Sequence, residues 1–239
     1  MKIKQIFTFI LTVFISMATK ADEVPTISPS AVFTASDGTE EETSSFEGSA
    51  PVVGKFYANV ENQGDYAAHF EWRITKEQET EPYLVRREEN MEYTFTVAGV
   101  HKIELYATFT RGTDVVEYTK EYWADANPIT VSVSESKLEF PNAFSPNGDG
   151  INDVFKAKEG YKSIVEFHAS IYNRWGQKLF EWSNPAEGWD GTYKGKDVKQ
   201  GVYYVLVKAK GADGRKFNIR RDVNLLRGYT EETGNSGKD

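Results

Sequence analysis

The stretch FPNAFSPNGDGINDVF, residues 140–155, is the part of this sequence that most strongly determines how the second half of the chain folds. Its centre, from Asn147 to Asp153, alternates Asn and Asp with glycine. Asn and Asp side chains accept hydrogen bonds from nearby backbone amides, and glycine reaches positive φ angles without steric cost. The run therefore predicts a rigid turn in which carboxylates cap backbone amides.

A second interpretation of the same run is a bound cation. The oxygen-bearing side chains of Asn147, Asp149, Asn152 and Asp153 resemble the first half of a calcium loop. If Asn147 held the third position of such a loop, Lys156 would stand in the twelfth, where a bidentate acid is expected. The sequence favours the turn and leaves Ca²⁺ open as the one candidate cofactor.

Four further motifs follow this run along the chain: IYNRWGQKLF at 171–180, WDG at 189–191, GVYY at 201–204 and VNLLR at 223–227. Their order and spacing, taken together with residues 140–155, resemble the gliding-motility-associated C-terminal domain. That domain is the type B sorting domain of the type IX secretion system of Bacteroidetes. The resemblance extends over about residues 138–227.

The resemblance implies an immunoglobulin-like β-sandwich that acts as an export address, with the secretion translocon as its partner. By the same resemblance, the sorting motif consists of Phe144, Pro146, Asn147, Gly148, Asp149, Gly150, Asn152, Asp153, Asn173, Arg174, Trp175, Gly176, Trp189, Asp190, Gly191, Gly201, Tyr203, Leu226 and Arg227. Two contacts are open for Arg174, namely stacking on an aromatic ring or an ion pair with Asp190.

The first residues of the chain have the pattern of a secretory signal. Lys2 and Lys4 precede an apolar run from Ile6 to Ile15, and small residues follow up to Ala21. This apolar run is shorter than the roughly 20 residues that a membrane-spanning helix needs. We therefore expect a cleaved signal peptide at residues 1–21, export of the chain, and no transmembrane segment in the mature protein.

Charge divides the remaining sequence into two parts. Residues 22–137 carry 22 acidic and 9 basic side chains, whereas residues 138–227 carry 11 acidic and 15 basic ones. The change of sign supports a domain boundary close to Glu135. The sequence has no cysteine, which excludes disulfides, thiolate metal sites and cysteine nucleophiles.

The acidic part predicts a second β-domain. Polar and apolar residues alternate in stretches such as Phe70–Ile74 and His101–Phe109, followed by Val116–Trp123 and Ile129–Val133, which is typical of half-buried strands. Residues 22–50 are polar and acidic, and we expect a flexible linker there with one short strand. The stretch from Ala50-Pro51 to Leu105 resembles a PKD-type or immunoglobulin-like domain, with Trp72 in its core.

These observations predict an all-β protein with two Ig-like β-sandwich domains in tandem after a cleaved signal peptide. The expected domains are the signal peptide at 1–21, the linker at 22–50, a PKD/Ig-like sandwich at 51–136, the sorting domain at 137–227 and a disordered tail at 228–239.

Catalytic and nucleic-acid-binding functions find no support in the sequence. The three histidines, His69, His101 and His168, lack the spacing of a zinc site, and no nucleophile stands in a recognisable motif. The small excess of basic residues after residue 138 has no recognition motif beside it. We expect a non-enzymatic protein on the outer-membrane surface or in the medium.

Two other functions remain open from the sequence. One is an adhesin or a module that binds a surface glycan or protein, with a purely structural C-terminal domain; the other is a component of the secretion or gliding apparatus. The adhesin would use aromatic residues clustered on an exposed face. The candidates are Tyr57, Tyr66, Tyr83, Tyr106, Tyr118, Tyr122 and Trp123.

Overall fold

A computed structural model describes residues 23–227 of the protein. The predictions of a signal peptide at 1–21 and of a disordered tail at 228–239 therefore lie outside the described residues. The described chain is built almost entirely of β-strands, in an N-terminal region up to Ser136 and a C-terminal region from Lys137, and the all-β prediction is confirmed.

The N-terminal region contains twelve strands and one short helix. The strands are β1 Thr26–Ile27, β2 Ser30–Thr34, β3 Glu40–Glu42, β4 Ser45–Gly48, β5 Val52–Tyr57, β6 Val60–Glu61, β7 Ala67–Lys76, β8 Leu84–Arg86, β9 Met91–Phe95, β10 Gly99–Arg111, β11 Asp114–Tyr118 and β12 Ile129–Val133, and the helix is α1 Lys120–Asp125.

Two sheets of the N-terminal region share one core. One sheet has the order β4-β12-β10-β7-β8, with β11 also paired to β10, and the other has the order β3-β2-β5-β9. Alternate residues of longer strands such as β2 and β10 point inward, and Phe33 and Phe56 from one sheet belong to the same core as Trp72 from the other. The rings of Phe56 and Trp72 lie 5.7 Å apart, and the indole N–H of Trp72 donates to the carbonyl of Glu89 at 3.0 Å.

Two predictions for the N-terminal region need correction. Residues 22–50 are not a linker, because four strands form there and Phe33 and Phe46 are buried in the core. The expected strand at 116–123 ends at Tyr118, and Trp123 lies in the helix α1. The indole N–H of Trp123 donates to the carbonyl of Leu105, which fixes the helix against β10.

The C-terminal region contains nine strands. They are β13 Ala143–Phe144, β14 Phe155–Lys156, β15 Ile164–Tyr172, β16 Lys178–Trp182, β17 Gly188–Trp189, β18 Thr192–Tyr193, β19 Lys196–Asp197, β20 Gly201–Gly211 and β21 Lys216–Leu225.

Five of these strands form one sheet, with the order β13-β21-β20-β15-β16. Its inner face carries Ile171, Val205 and Val223, which are buried under Phe144, Phe155, Trp189 and other aromatic side chains. The covering layer has only two-residue ladders, β14 with β17 and β18 with β19, joined by loops. This layer therefore depends on loop contacts more than on strand pairing.

The two regions meet at a polar seam beside a buried hairpin tip. The Ser163 hydroxyl accepts a hydrogen bond from the amide of Ala50 at 3.0 Å and lies 2.9 Å from the hydroxyl of Ser134. Ala212, in the turn between β20 and β21, is buried in the N-terminal core, and its carbonyl accepts from the amide of Ala98 at 3.0 Å. The seam gives the regions both polar and apolar contact.

Candidate functional site

The sorting-motif residues come together at one end of the C-terminal region. This end holds the Asn147–Asp153 loop, the WDG turn at 189–191, the start of β20 at Gly201 and the end of β21, where Leu226 and Arg227 follow the strand. The turn at 173–176 lies at the same end, because β15 reaches it at Tyr172, which pairs with Tyr204. Motifs that are distant in sequence thus form one surface.

Arg227 holds three loops of this end together. Its guanidinium donates to the carbonyl of Gly191 at 2.7 Å, to that of Val198 at 3.0 Å and to that of Pro146 at 3.5 Å. It also forms an ion pair with Asp197, with 3.2 Å between Nη1 and Oδ2. A planar guanidinium presents several donors in fixed directions, which a lysine ammonium cannot do.

Glycine is required at position 191 for two reasons. Its φ angle is 80°, in the left-handed region that favours glycine. A Cβ atom there would lie 3.0 Å from Cδ1 of Leu225, 3.1 Å from Cγ of Pro146 and 3.2 Å from Nη2 of Arg227. The close approach of these groups to the backbone lets Arg227 reach the Gly191 carbonyl.

The Asn147–Asp153 loop is organised by its own carboxylate. Asp153 accepts hydrogen bonds from the amides of Asn147, Gly148 and Gly150 at 2.7 to 2.9 Å. The bonds from Gly148 and Gly150 hold the pKa of Asp153 below its usual value, because they favour the charged carboxylate. This network has the form of the rigid Asx turn that the sequence favoured.

The side chains of Asn147 and Asp149 also bind the backbone of the loop. The amide of Asp149 donates to the side chain of Asn147 at 3.0 Å, and the amide of Ile151 donates to Asp149 at 2.8 Å. Within residues 23–227 there is no group of three or more His, Cys, Asp or Glu side chains that could hold a metal ion. A calcium site at Asn147, Asp149, Asn152 and Asp153 stays a prediction.

The turn from Asn173 to Gly176 presents the most exposed large apolar side chain of the described region. Trp175 is 75% exposed, and the Arg174 guanidinium lies 4.3 Å from the centre of its ring. Of the two contacts left open for Arg174, the structure has the stacking on an aromatic ring, and the Asp190 carboxylate accepts from the amide and hydroxyl of Thr192. The Asn173 side chain fixes the turn by accepting from the amides of Trp175 and Gln177.

Several buried aromatic side chains pack between these loops and the five-stranded sheet. Trp189 is fully buried, lies 5.4 Å from the ring of Phe144 and 5.0 Å from that of Tyr203, and donates to the carbonyl of Thr192 at 2.7 Å. The Tyr203 hydroxyl donates to the carbonyl of Lys199 at 2.6 Å. These buried rings couple the sheet to the loops that carry the motif.

The sequence did not indicate the partners of Arg227. Asp197 and Val198 lie in a lysine-rich segment, KGKDVK, that reads as an ordinary solvent-exposed turn. Their contact with Arg227 spans about thirty residues of chain and depends on the ends of two strands meeting. No local pattern in this sequence encodes that meeting.

Three of the aromatic candidates of the N-terminal region, Tyr118, Tyr122 and Trp123, are in ring contact and pack partly buried against the core. Tyr57 and Tyr83 are exposed, whereas Tyr66 is buried and the other candidates are half-buried. His101 is also buried: its Nε2–H donates to the carbonyl of Val97, and its Nδ1 accepts from the Tyr83 hydroxyl. Burial lowers the pKa of His101, because desolvation disfavours the charged imidazolium.

These features define a class for the C-terminal region: a small β-domain with polar loops gathered at one end around an arginine. Residues 138–219 match the family model of the CHU_C type IX secretion signal domain. Residues 138–219 are therefore a type IX secretion signal domain, and the resemblance drawn from the motifs is confirmed over that range. Such a signal implies handling by the type IX system and export to the cell surface or the medium.

Other comparisons add little. No curated protein gives a significant match to the chain. A crystal structure of a tetra-tandem repeat from the extending region of a large adhesion protein aligns with 86% of this chain and 68% of that one, at 11% identity and a TM-score of 0.27. That score is too low to support an argument. Among residues 23–227, no helix is long and apolar enough to cross a membrane.

Proposed function

We propose that this protein is a non-enzymatic surface or extracellular protein whose residues 137–227 act as a folded sorting signal for the N-terminal region. The observation that carries the proposal is the match of residues 138–219 to the type IX secretion signal domain. The partner is the type IX translocon. The sorting step is recognition of a folded β-domain and involves no covalent chemistry by this chain.

The loop end of the signal domain is the surface that we propose for recognition. It combines an exposed indole at Trp175, a cation at Arg174 and a loop held rigid by Asp153. Exposed Trp and Arg side chains supply much of the binding energy in protein interfaces. Rigid loops lose little conformational entropy on binding, which favours a fixed recognition surface.

For the N-terminal region we propose the role of passenger, with an immunoglobulin-like or PKD-like sandwich fold. Two sheets around the buried Trp72 support that assignment. An adhesin or glycan-binding role would need a cluster of exposed aromatic residues, and only Tyr57 and Tyr83 of the seven candidates are exposed. We therefore favour the passenger role.

The test is cell fractionation with the intact protein, a form truncated after Ser136, and the variant Trp175→Ser. We expect the intact protein at the surface or in the medium, and the other two mainly in the periplasm. Truncation also removes Ala212 from the N-terminal core. Trp175→Ser avoids this complication, because Trp175 is exposed and its loss leaves both cores intact.

A matched control for the indole is Tyr57→Ser, which removes an exposed aromatic residue from the N-terminal region. We expect it to be delivered like the intact protein. Equal surface delivery of the intact, truncated and Trp175→Ser forms would show that residues 137–227 are not an export address.

A further inference from the structure

One long strand of the signal domain has a free edge. β21 pairs with β20 along its whole length, but on its other side it pairs with β13 only, at Asn224 and Leu225. Upstream of Asn142 the chain contacts β21 through side chains and not through backbone pairing: the guanidinium of Arg221 donates to the carbonyl of Phe140, whose side chain is buried in the core. Within the described chain, no strand pairs with this side of residues 216–222.

Backbone groups of β21 point outward along this edge. The amide of Asn224 donates to Asn142 across it, and the amide of Leu226 donates to Phe144, both at 3.0 Å. Because backbone direction alternates along a strand, the amides and carbonyls of Asn218, Arg220 and Asp222 face the same open side. Such a row of unpaired groups is a template for another strand.

The side chains that border this edge are mainly basic. Lys216 and Arg220 are exposed, and neither forms an ion pair with any residue from 23 to 227. Asp222 is the only acid in β21. Two copies of β21 placed edge to edge would bring like charges together, which opposes self-pairing. An acidic strand would instead find complementary charge.

An open groove of about 630 Å³ lies on the sheet face next to the edge. It is lined by Tyr172, Val202, Tyr204, Leu206, Arg220 and Asp222. Val202 and Tyr204 are 47% and 49% exposed, an unusual position for large apolar side chains. A side chain from an added strand reaches a diagonal neighbour at about 7–8 Å, which brings this groove within reach.

We propose that the β21 edge and this groove together dock an extended, acidic segment of a partner protein as an added β-strand. Backbone pairing at Asn218, Arg220 and Asp222 supplies affinity, as in other cases of strand addition. Acidic side chains of the segment face Lys216 and Arg220, and an apolar side chain enters the groove. The inference rests on the proposed function in that the partner is a protein of the export route.

Two variants of the full chain test the proposal. Asn218→Pro removes an edge amide that β20 does not use, and proline is tolerated in an edge strand with its nitrogen facing outward. Arg220→Glu reverses the charge beside the groove. Lys156→Glu is the matched control, since Lys156 is exposed in β14 and carries the same charge away from the edge. Near-UV circular dichroism confirms folding for each variant.

The first readout is surface delivery in the native host. We expect at least a tenfold loss for both edge variants and normal delivery for Lys156→Glu. Normal delivery of both edge variants, in a host where deletion of residues 137–227 abolishes delivery, overturns the inference and leaves the proposed function intact. If that deletion has no effect, the proposed function fails, and the edge is judged on binding alone.

The second readout is binding of a synthetic peptide, TEYEVET, to ¹⁵N-labelled protein observed by NMR. We expect shifts at Asn218, Arg220 and Asp222, slower exchange of their amides, and at least tenfold weaker binding to Asn218→Pro. Absence of binding overturns the proposal. So would concentration-dependent dimers that Asn218→Pro abolishes in sedimentation, because the occupant would then be a second copy of this chain.

Discussion

The N-terminal region buries two sheets against each other, whereas the signal domain buries one five-stranded sheet against loops and two-residue ladders. In the first case, strand pairing and apolar packing account for most of the order. In the second, the covering layer is fixed by polar anchors, chiefly Arg227 and Asp153. A small domain can therefore keep a defined surface beyond the last paired residues of its strands, provided that buried aromatic rings and charged side chains fix its loops.

The two regions also differ in the charged side chains that border their long strands. The acidic N-terminal region keeps its longest strand, β10, in the interior of a sheet, between β7 on one side and β12 and β11 on the other. The signal domain leaves one side of β21 largely unpaired and borders it with Lys216 and Arg220. The N-terminal strand β7 is likewise paired on one of its sides only at Trp72–Ile74, but its charged residues Glu71 and Arg73 form an ion pair with each other, whereas Lys216 and Arg220 form none within the described residues.

The largest effect should come from removing the central tryptophan of either region. Trp72→Ala and Trp189→Ala each create a large cavity and remove an indole hydrogen bond, and each should cost about 3–5 kcal/mol of stability. Chemical denaturation measures that loss. We expect Trp189→Ala alone to broaden the NMR amide signals of the Asn147–Asp153 loop, because Trp189 packs on Phe144 below it.

The NMR spectra of the two tryptophan variants would show whether the two regions are ordered independently. If Trp72→Ala disturbs the same loop signals, the seam at Ser163 and Ala212 transmits order between the regions, and the two must be treated as one cooperative unit. If Trp189→Ala leaves the loop signals sharp, the polar anchors fix the loops without help from the aromatic layer.

A smaller effect is expected for Arg227→Lys. A lysine cannot reach Gly191, Val198 and Pro146 together, so that carbonyls held by a charged donor lose their partner. Hydrogen bonds to charged groups are worth about 1.5–3 kcal/mol, and we expect a loss of about 2–3 kcal/mol in thermal or chemical unfolding. Arg220→Lys is the matched control and should leave stability nearly unchanged, since Arg220 is exposed and unpaired within the described chain. If Arg227→Lys costs no more than Arg220→Lys, the fixed donor geometry of the Arg227 guanidinium adds nothing beyond its positive charge.

Much of the strand pattern could be predicted from the sequence, because alternation is a local property. Ile129–Val133 was predicted with its observed bounds, and the predicted stretch His101–Phe109 lies inside the longer strand β10. For residues 22–50 only one short strand was predicted, because the acidic composition around Glu40–Glu42 was interpreted as a flexible linker, although further strands form there and the core buries Phe46. The acidic residues of these strands face the solvent, whereas packing depends on the apolar residues that face the core.

For the candidate site, too, the residues that depend on local sequence could be predicted and those that depend on the arrangement of strands could not. Residues of the Asn147–Asp153 loop could be identified because turn chemistry is encoded within a few residues. The contacts of Arg227 and the free edge of β21 could not, because both depend on which strands meet at the end of the sheet. Whether a strand lies at the edge of a sheet depends on the order of all the strands, so no single stretch of sequence shows it.

The smallest expected effect concerns the pH dependence of the Asp153 loop. Hydrogen bonds from Gly148 and Gly150 lower the pKa of Asp153 in the folded protein, so its contribution to stability is fully present above the unfolded value of about 3.9. That contribution is lost as the pH falls through the lower, folded pKa. We therefore expect Asp153→Asn to lower the thermal midpoint at pH 7, with a difference from the intact protein that shrinks as the pH falls below about 4.

A pH series of thermal unfolding for the intact protein, Asp153→Asn and the control Glu187→Gln measures this. Glu187 is exposed and its carboxylate accepts no hydrogen bond within residues 23–227, so Glu187→Gln corrects for the loss of one negative charge. A difference that persists unchanged to pH 2 would mean that the shape of the Asn side chain, and not the carboxylate charge, disturbs the loop. Packing would then order the loops of the signal domain, as it orders the N-terminal region. The two regions would differ only in the polar contacts that Arg227 makes.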